Sequence, residues 1–116
     1  MAMMAQSKEV LDVSGTVSKY VETAVYQYCR KKHEKISFFR TPQKEEVDLI
    51  IEDSMTPIEV KYKSRIDAVD KKSLLKFLDK YKKNRGVIIT KDVFRREETD
   101  SKEIIMIPAW LFMLTD

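Results

Sequence analysis

Asp48, Glu59 and Lys61 supply two carboxylates and an ammonium on two short apolar runs, EEVDLIIED and PIEVKYKS, separated by a polar turn. Magnesium prefers oxygen ligands, keeps several of its waters, and is usually held by one or two carboxylates together with a substrate phosphate. A metal held in this way polarises a phosphoryl oxygen and lowers the pKa of a bound water, while a neighbouring ammonium offsets charge in the transition state. Asp48 and Glu59 are candidate ligands for Mg2+ or Mn2+, and Lys61 is the candidate partner of the attacking water. Phosphodiester hydrolysis needs this set and requires no cysteine or histidine nucleophile.

Strand alternation is what would gather these groups. With a turn over residues 53–56, Asp48, Ile50 and Glu52 share one face of the first run, and Val47, Leu49 and Ile51 share the other. On the return run Glu59, Lys61 and Lys63 oppose Ile58, Val60 and Tyr62. This register sets Asp48 across from Lys61, with Glu59 as the diagonal neighbour.

The elements around the hairpin follow from periodicity. Val17, Tyr20, Val21, Ala24, Val25 and Tyr28 recur as one helical face over residues 17–32, with Ser14 or Thr16 as cap and Arg30, Lys31 and Lys32 at the negative end of the dipole. Residues 34–41, EKISFFRT, are rich in β-formers and stop at Pro42, which predicts a first strand. A second helix over residues 70–86 carries Leu74, Leu75, Phe77, Leu78 and Tyr81, with Gly86 as its left-handed stop. GVIIT and KEIIMI read as buried strands, and the charged KDVFRREETDSK between them reads as a mobile loop. The result is a mixed sheet covered by helices, with a parallel crossover through the second helix.

At 116 residues and 43% hydrophobic content the chain suits one domain over residues 14–116, preceded by a poorly ordered tail over 1–13. Twenty-two basic residues against 19 acidic ones leave a net charge of +3, so attraction to nucleic acid must come from clustering of charge. The lone Cys29 excludes an internal disulfide and suits a reducing compartment, and its helical spacing makes it a buried apolar residue. The first ten residues do not read as a signal peptide. IIMIPAWLFML, residues 104–114, is too short to span a bilayer as a helix and is interrupted by Pro108. The expectation is a cytoplasmic protein with no membrane partner.

Asp48 followed by IEVK resembles the PD-(D/E)XK nuclease superfamily, whose signature is an acid on one strand and E-x-K on the next. More narrowly, EEVDLIIED…PIEVKYKSRI, LLKFLDKY…RGVIITKD and IIMIPAWLFML are similar to the C-terminal nuclease-like domain of archaeal AAA-type ATPases. The resemblance implies a restriction-endonuclease-like α/β/α sandwich in the order helix, three strands, helix, strand, strand. It also implies Mg2+-dependent hydrolysis of DNA, a metal set of Asp48, Glu59 and Val60, and Glu22 on the first helix as auxiliary acid. Val47 stands where the superfamily has proline. No G-x-x-x-x-G-K-[ST] phosphate loop occurs, so any ATPase domain would be a partner absent from this chain.

Lys63 and Arg65 beside the triplet, and Lys82, Lys83 and Arg85 at the end of the second helix, are candidate phosphate contacts. His33, after a basic cluster, reads as a helix-end partner of the dipole. Phe38 and Phe39 fall on opposite faces of their strand, so one of them faces a helix or a partner. The PAWLFML segment raises the alternative of a dimerising assembly domain. A catalytically idle DNA-binding or regulatory module of an ATPase is the other alternative.

Overall fold

The computed structural model describes residues 14–33, 35–40, 42 and 46–115, so the tail expected over residues 1–13 lies outside the described residues. Helix α1, Ser14–Lys32, buries Val25 and Cys29 and ends on Arg30, Lys31 and Lys32. Its apolar stripe packs from Val21 onward, since Val17 and Tyr20 are exposed. Its described span already includes Ser14, so Ser14 and Thr16 both lie within the helix and neither is its cap.

Strands β1 (Ile36–Arg40), β2 (Glu46–Ile51) and β3 (Thr56–Val60) form an antiparallel meander. The β2–β3 turn occupies residues 52–55, with Met55 at φ 53°, one residue earlier than expected. Ile51 therefore pairs with Thr56 and Leu49 with Ile58, and the same register carried on sets Asp48 across from Glu59, not from Lys61.

Strict alternation also fails in β2. Ser37 pairs with Ile50 and Phe39 with Val47, so two steps along β1 are matched by three along β2. The extra residue is a β-bulge in which Asp48 and Leu49 both oppose Phe38. As a result Val47 joins Ile50 in one core while Leu49 joins the other, contrary to the expected Val47–Leu49–Ile51 face.

Helix α2, Ala68–Lys80, faces the sheet with Leu74, Phe77 and Leu78. It ends in a Schellman motif: Lys82 takes φ 55°, its amide donates to the Asp79 carbonyl at 3.4 Å, and the Lys83 amide donates to the Leu78 carbonyl at 2.9 Å. The left-handed residue is thus Lys82 and not Gly86. Gly86 lies within β4, Arg85–Thr90, where a Cβ would stand 2.9 Å from the Leu74 side chain. It is needed for close helix–sheet approach.

The charged stretch expected to be a loop contains a strand, β5 (Arg95–Thr99), paired antiparallel with β6 (Lys102–Pro108). Asp100 and Ser101 both have positive φ, as a two-residue hairpin of type I′ requires. The sheet order is β1-β2-β3-β4-β6-β5, with β3, β4 and β6 parallel. β5 escapes the apolar pattern because it is an edge strand, held by its ladder and by ion pairs such as Lys71–Glu97 and Arg96–Glu103.

The chain is an α/β fold whose sheet is packed on both sides. Val47, Ile50, Ile88, Ile104 and Met106 pack under α2. Leu49, Ile58 and Ile89 pack under α1 and the short helix α3, Ala109–Phe112. No helix among the described residues is long and apolar enough to cross a membrane. The apolar C-terminal segment is half covered: Phe112 packs edge-on against Tyr28, while Trp110 is 61% exposed.

Candidate functional site

The β2–β3 ladder stops at Leu49 and Ile58, and the strands fork beyond that pair. Beyond it the amides of Asp48 and Val60 are each taken by a carboxylate from the opposite strand. The Asp48 amide donates to Glu59 Oε1 at 2.9 Å, and the Val60 amide donates to Asp48 Oδ2 at 2.7 Å. The bulge makes this possible by turning Asp48 toward α1, where Glu22 meets it. Glu59 stands in register with Ile88, a residue of the α2 core. The acids therefore do not share a face of a regular hairpin; they enter the fork from its two sides and meet between the strands.

Charge accumulates there. Burial, then repulsion and a carboxyl–carboxyl hydrogen bond with Asp48, outweigh the Asp48 amide and Lys61 and push Glu59 up to about 8. Glu22 is also raised, by partial burial first and by Asp48 next, with Lys19 acting against the shift. Lys61 Nζ lies 3.9 Å from Glu59 Oε2, close enough for an ion pair but too far for a hydrogen bond. Glu22, Asp48, Glu59 and Lys61 are thus brought together, and Val60 adjoins them through its amide.

Glu22 and Asp48 open onto a recess of about 250 Å³ on the α1 side, lined also by Tyr26, Phe38, Arg40 and Val60 among others, while Glu59 stands behind them and does not line it. Tyr26, Arg40 and Glu46 were not anticipated as lining. A signal for Tyr26 exists, since it lies four residues after Glu22 and so falls on the same side of α1.

The expected phosphate contacts divide into two groups. Lys63 pairs with Asp70 at 2.8 Å, Arg65 with Asp67 at 3.3 Å, and Arg85 with Glu103 at 2.8 Å. Burial opposes ionisation of Asp70, but the Lys63 ammonium and the Asp67 amide outweigh it and hold its carboxyl below the usual range. Lys82 and Lys83 stand exposed at the end of α2. Cys29 is buried, and desolvation raises its thiol to about 11, which leaves it inert.

Among the described residues no three His, Cys, Asp or Glu side chains form a ready-made metal cage. The fork instead offers hard oxygen donors, with the Lys61 ammonium beside Glu59 and that of Lys19 acting on Glu22. That donor set fits a hard divalent cation held by two carboxylates and completed by water and substrate oxygen.

Residues 17–111 match the family described as "Domain of unknown function (DUF4143)", and the chain belongs to that family. No curated protein and no solved structure matches it.

Proposed function

We propose that this DUF4143 chain is a metal-dependent nuclease-type domain of restriction-endonuclease-like fold that binds DNA and hydrolyses phosphodiester bonds. The observation that carries the reading is the meeting of Glu22, Asp48 and Glu59 at the β2–β3 fork with Lys61 beside them. Asp48 and Glu59 would hold Mg2+ or Mn2+, with Val60 adjoining, and the bound ion would supply phosphoryl polarisation and a more acidic water. Glu59 and Asp48 each spend an oxygen on a backbone amide, which fixes their orientation before substrate arrives. Lys61, 3.9 Å from Glu59, would orient the attacking water and offset the negative charge developing on the phosphoryl group. Glu22 acts as the auxiliary acid from α1.

The same amide bonds favour a second reading, in which the acids only cap the fork and the domain is a catalytically idle DNA-binding or regulatory module of an ATPase. The exposed Trp110 and Leu114 favour a homodimer contact under either reading. Incubating wild type and Asp48→Asn with Mg2+ on single-stranded, duplex and branched DNA separates catalysis from the idle module. Catalysis requires cleavage by wild type that Asp48→Asn abolishes with its fold intact. Equal trace cleavage by both proteins assigns the acids to structure alone.

A further inference from the structure

Acidic and aromatic groups lie side by side in the recess. Glu22 and Tyr26 are one turn apart on α1, about 5–6 Å. Asp48 and Phe38 are cross-strand neighbours at the bulge, where Phe38 opposes the two bulged residues. The acids therefore meet in one layer and the aromatics in the next. Tyr26 and Phe38 stack with ring centres 5.6 Å apart and planes 12° from parallel. The Arg30 guanidinium lies 5.8 Å from the Tyr26 ring centre on that same helix. Phe38 lines the recess and yet is 62% exposed. The column is open at Phe38.

We infer that the recess receives an unpaired nucleobase stacked on Phe38, so that the substrate is single-stranded DNA or a branched end with unpaired nucleotides and not continuous duplex. The inference rests on the acids handling a phosphodiester. A nucleotide whose phosphate sits at the acid layer carries its base away through the sugar, toward the aromatic layer. Every base has a π-face that an aromatic ring accepts with little regard to sequence. A duplex keeps its bases paired and stacked inside the helix, and it can fill a side recess only by extruding one at the cost of unpairing and unstacking. A single strand pays no such cost. Arg40, at the rim and joined to Glu46 only at 3.9 Å, is placed to meet a flanking phosphate.

The test is fluorescence anisotropy of a labelled fifteen-nucleotide oligothymidine and of a duplex of equal length, with Ca2+ in place of Mg2+. The expected result is binding of the single strand about ten-fold tighter than the duplex. Phe38→Leu, which keeps apolar bulk, should remove most of that preference with duplex affinity unmoved, and Phe38→Trp should keep it. A 2-aminopurine placed in the strand should be quenched by wild type and Phe38→Trp but not by Phe38→Leu. Equal or tighter binding of duplex overturns the inference, as does a loss that Phe38→Leu inflicts equally on both forms. Absence of binding to either form, with Mg2+ still bound at the acids, overturns it and leaves the metal site standing. Cleavage unaffected by Asp48→Asn, with the strand preference intact, instead removes the catalytic reading and keeps a base-binding recess.

Discussion

Asp48 and Glu59 lock each other's strands: the Asp48 amide donates to Glu59 Oε1 at 2.9 Å while Asp48 Oδ2 receives the amide of Val60, the residue after Glu59, at 2.7 Å. The two carboxylates stand where ladder bonds would otherwise run, so the fork between β2 and β3 is built by the same atoms that could serve chemistry. Fold and site are coupled at this point. Any change in the charge of Glu59 must show in stability.

Stability should fall as pH rises from about 4.5 to about 8. Glu59 is raised from 4.5 to about 8, so across that window the folded chain holds a proton that the unfolded chain has released. The loss is complete above the folded value and is on the order of a few kcal/mol. Glu22 is raised as well and adds the same sign. Asp70, Glu97 and Glu103 are lowered, so their contributions change only at more acid pH. Melting temperatures across pH 4–9 check this, and Glu59→Gln, which keeps the acceptor for the Asp48 amide, should flatten most of the slope. Added Mg2+ should restore stability most strongly near pH 8, because the metal and the Glu59 proton compete.

Lys61→Ala should lose Mg2+-dependent cleavage while keeping most of the affinity for the ion. The ammonium is 3.9 Å from Glu59, so it attracts the carboxylate without occupying its lone pairs. Calorimetric titration with Mg2+ beside the cleavage assay reads the two effects separately. Metal affinity that falls in step with activity would make Lys61 a support of the metal ligands and not a partner of the water.

The element order was legible because α1, α2 and the buried strands β4 and β6 carry apolar periods that solvent exclusion enforces. β5 was not, since Arg95, Arg96, Glu97 and Glu98 bury little and their pairing is decided by the backbone of β6. The site residues were legible as types, but their meeting depends on a turn shifted by one residue and on the bulge at Asp48 and Leu49. No side-chain pattern announces either feature. Gly86 suggests a helix stop by its freedom of φ, whereas its lack of a Cβ is what the fold uses.

Gly86→Ala should therefore destabilise the chain by about 1–3 kcal/mol through overpacking, since its Cβ would lie 2.9 Å from Leu74 Cγ and Cδ2. Urea midpoints would read the loss. In a Leu74→Ala background the added methyl has space, so Gly86→Ala should cost far less there, and the cycle should be clearly non-additive. Additive losses would place the role of Gly86 in the backbone.

Basic residues should contribute to DNA binding according to whether an acid already holds them. Lys82 and Lys83 are exposed at the end of α2, and each phosphate they neutralise releases condensed counterions. Lys82→Glu with Lys83→Glu should weaken binding and flatten the dependence of log affinity on log salt by about 0.7–0.9 for each phosphate no longer neutralised. Lys63 is engaged with Asp70 at 2.8 Å, and Asp70, 8% exposed, also receives the Asp67 amide at the start of α2. Lys63→Ala should leave the salt slope nearly unchanged and instead cost about 1–3 kcal/mol of stability, because it leaves a buried acid without its cation. Affinity measured from 50 to 300 mM NaCl, beside urea unfolding of the same proteins, separates the two roles. A salt slope that falls equally for Lys63→Ala would place Lys63 on the phosphate track and show that its bond to Asp70 yields to DNA.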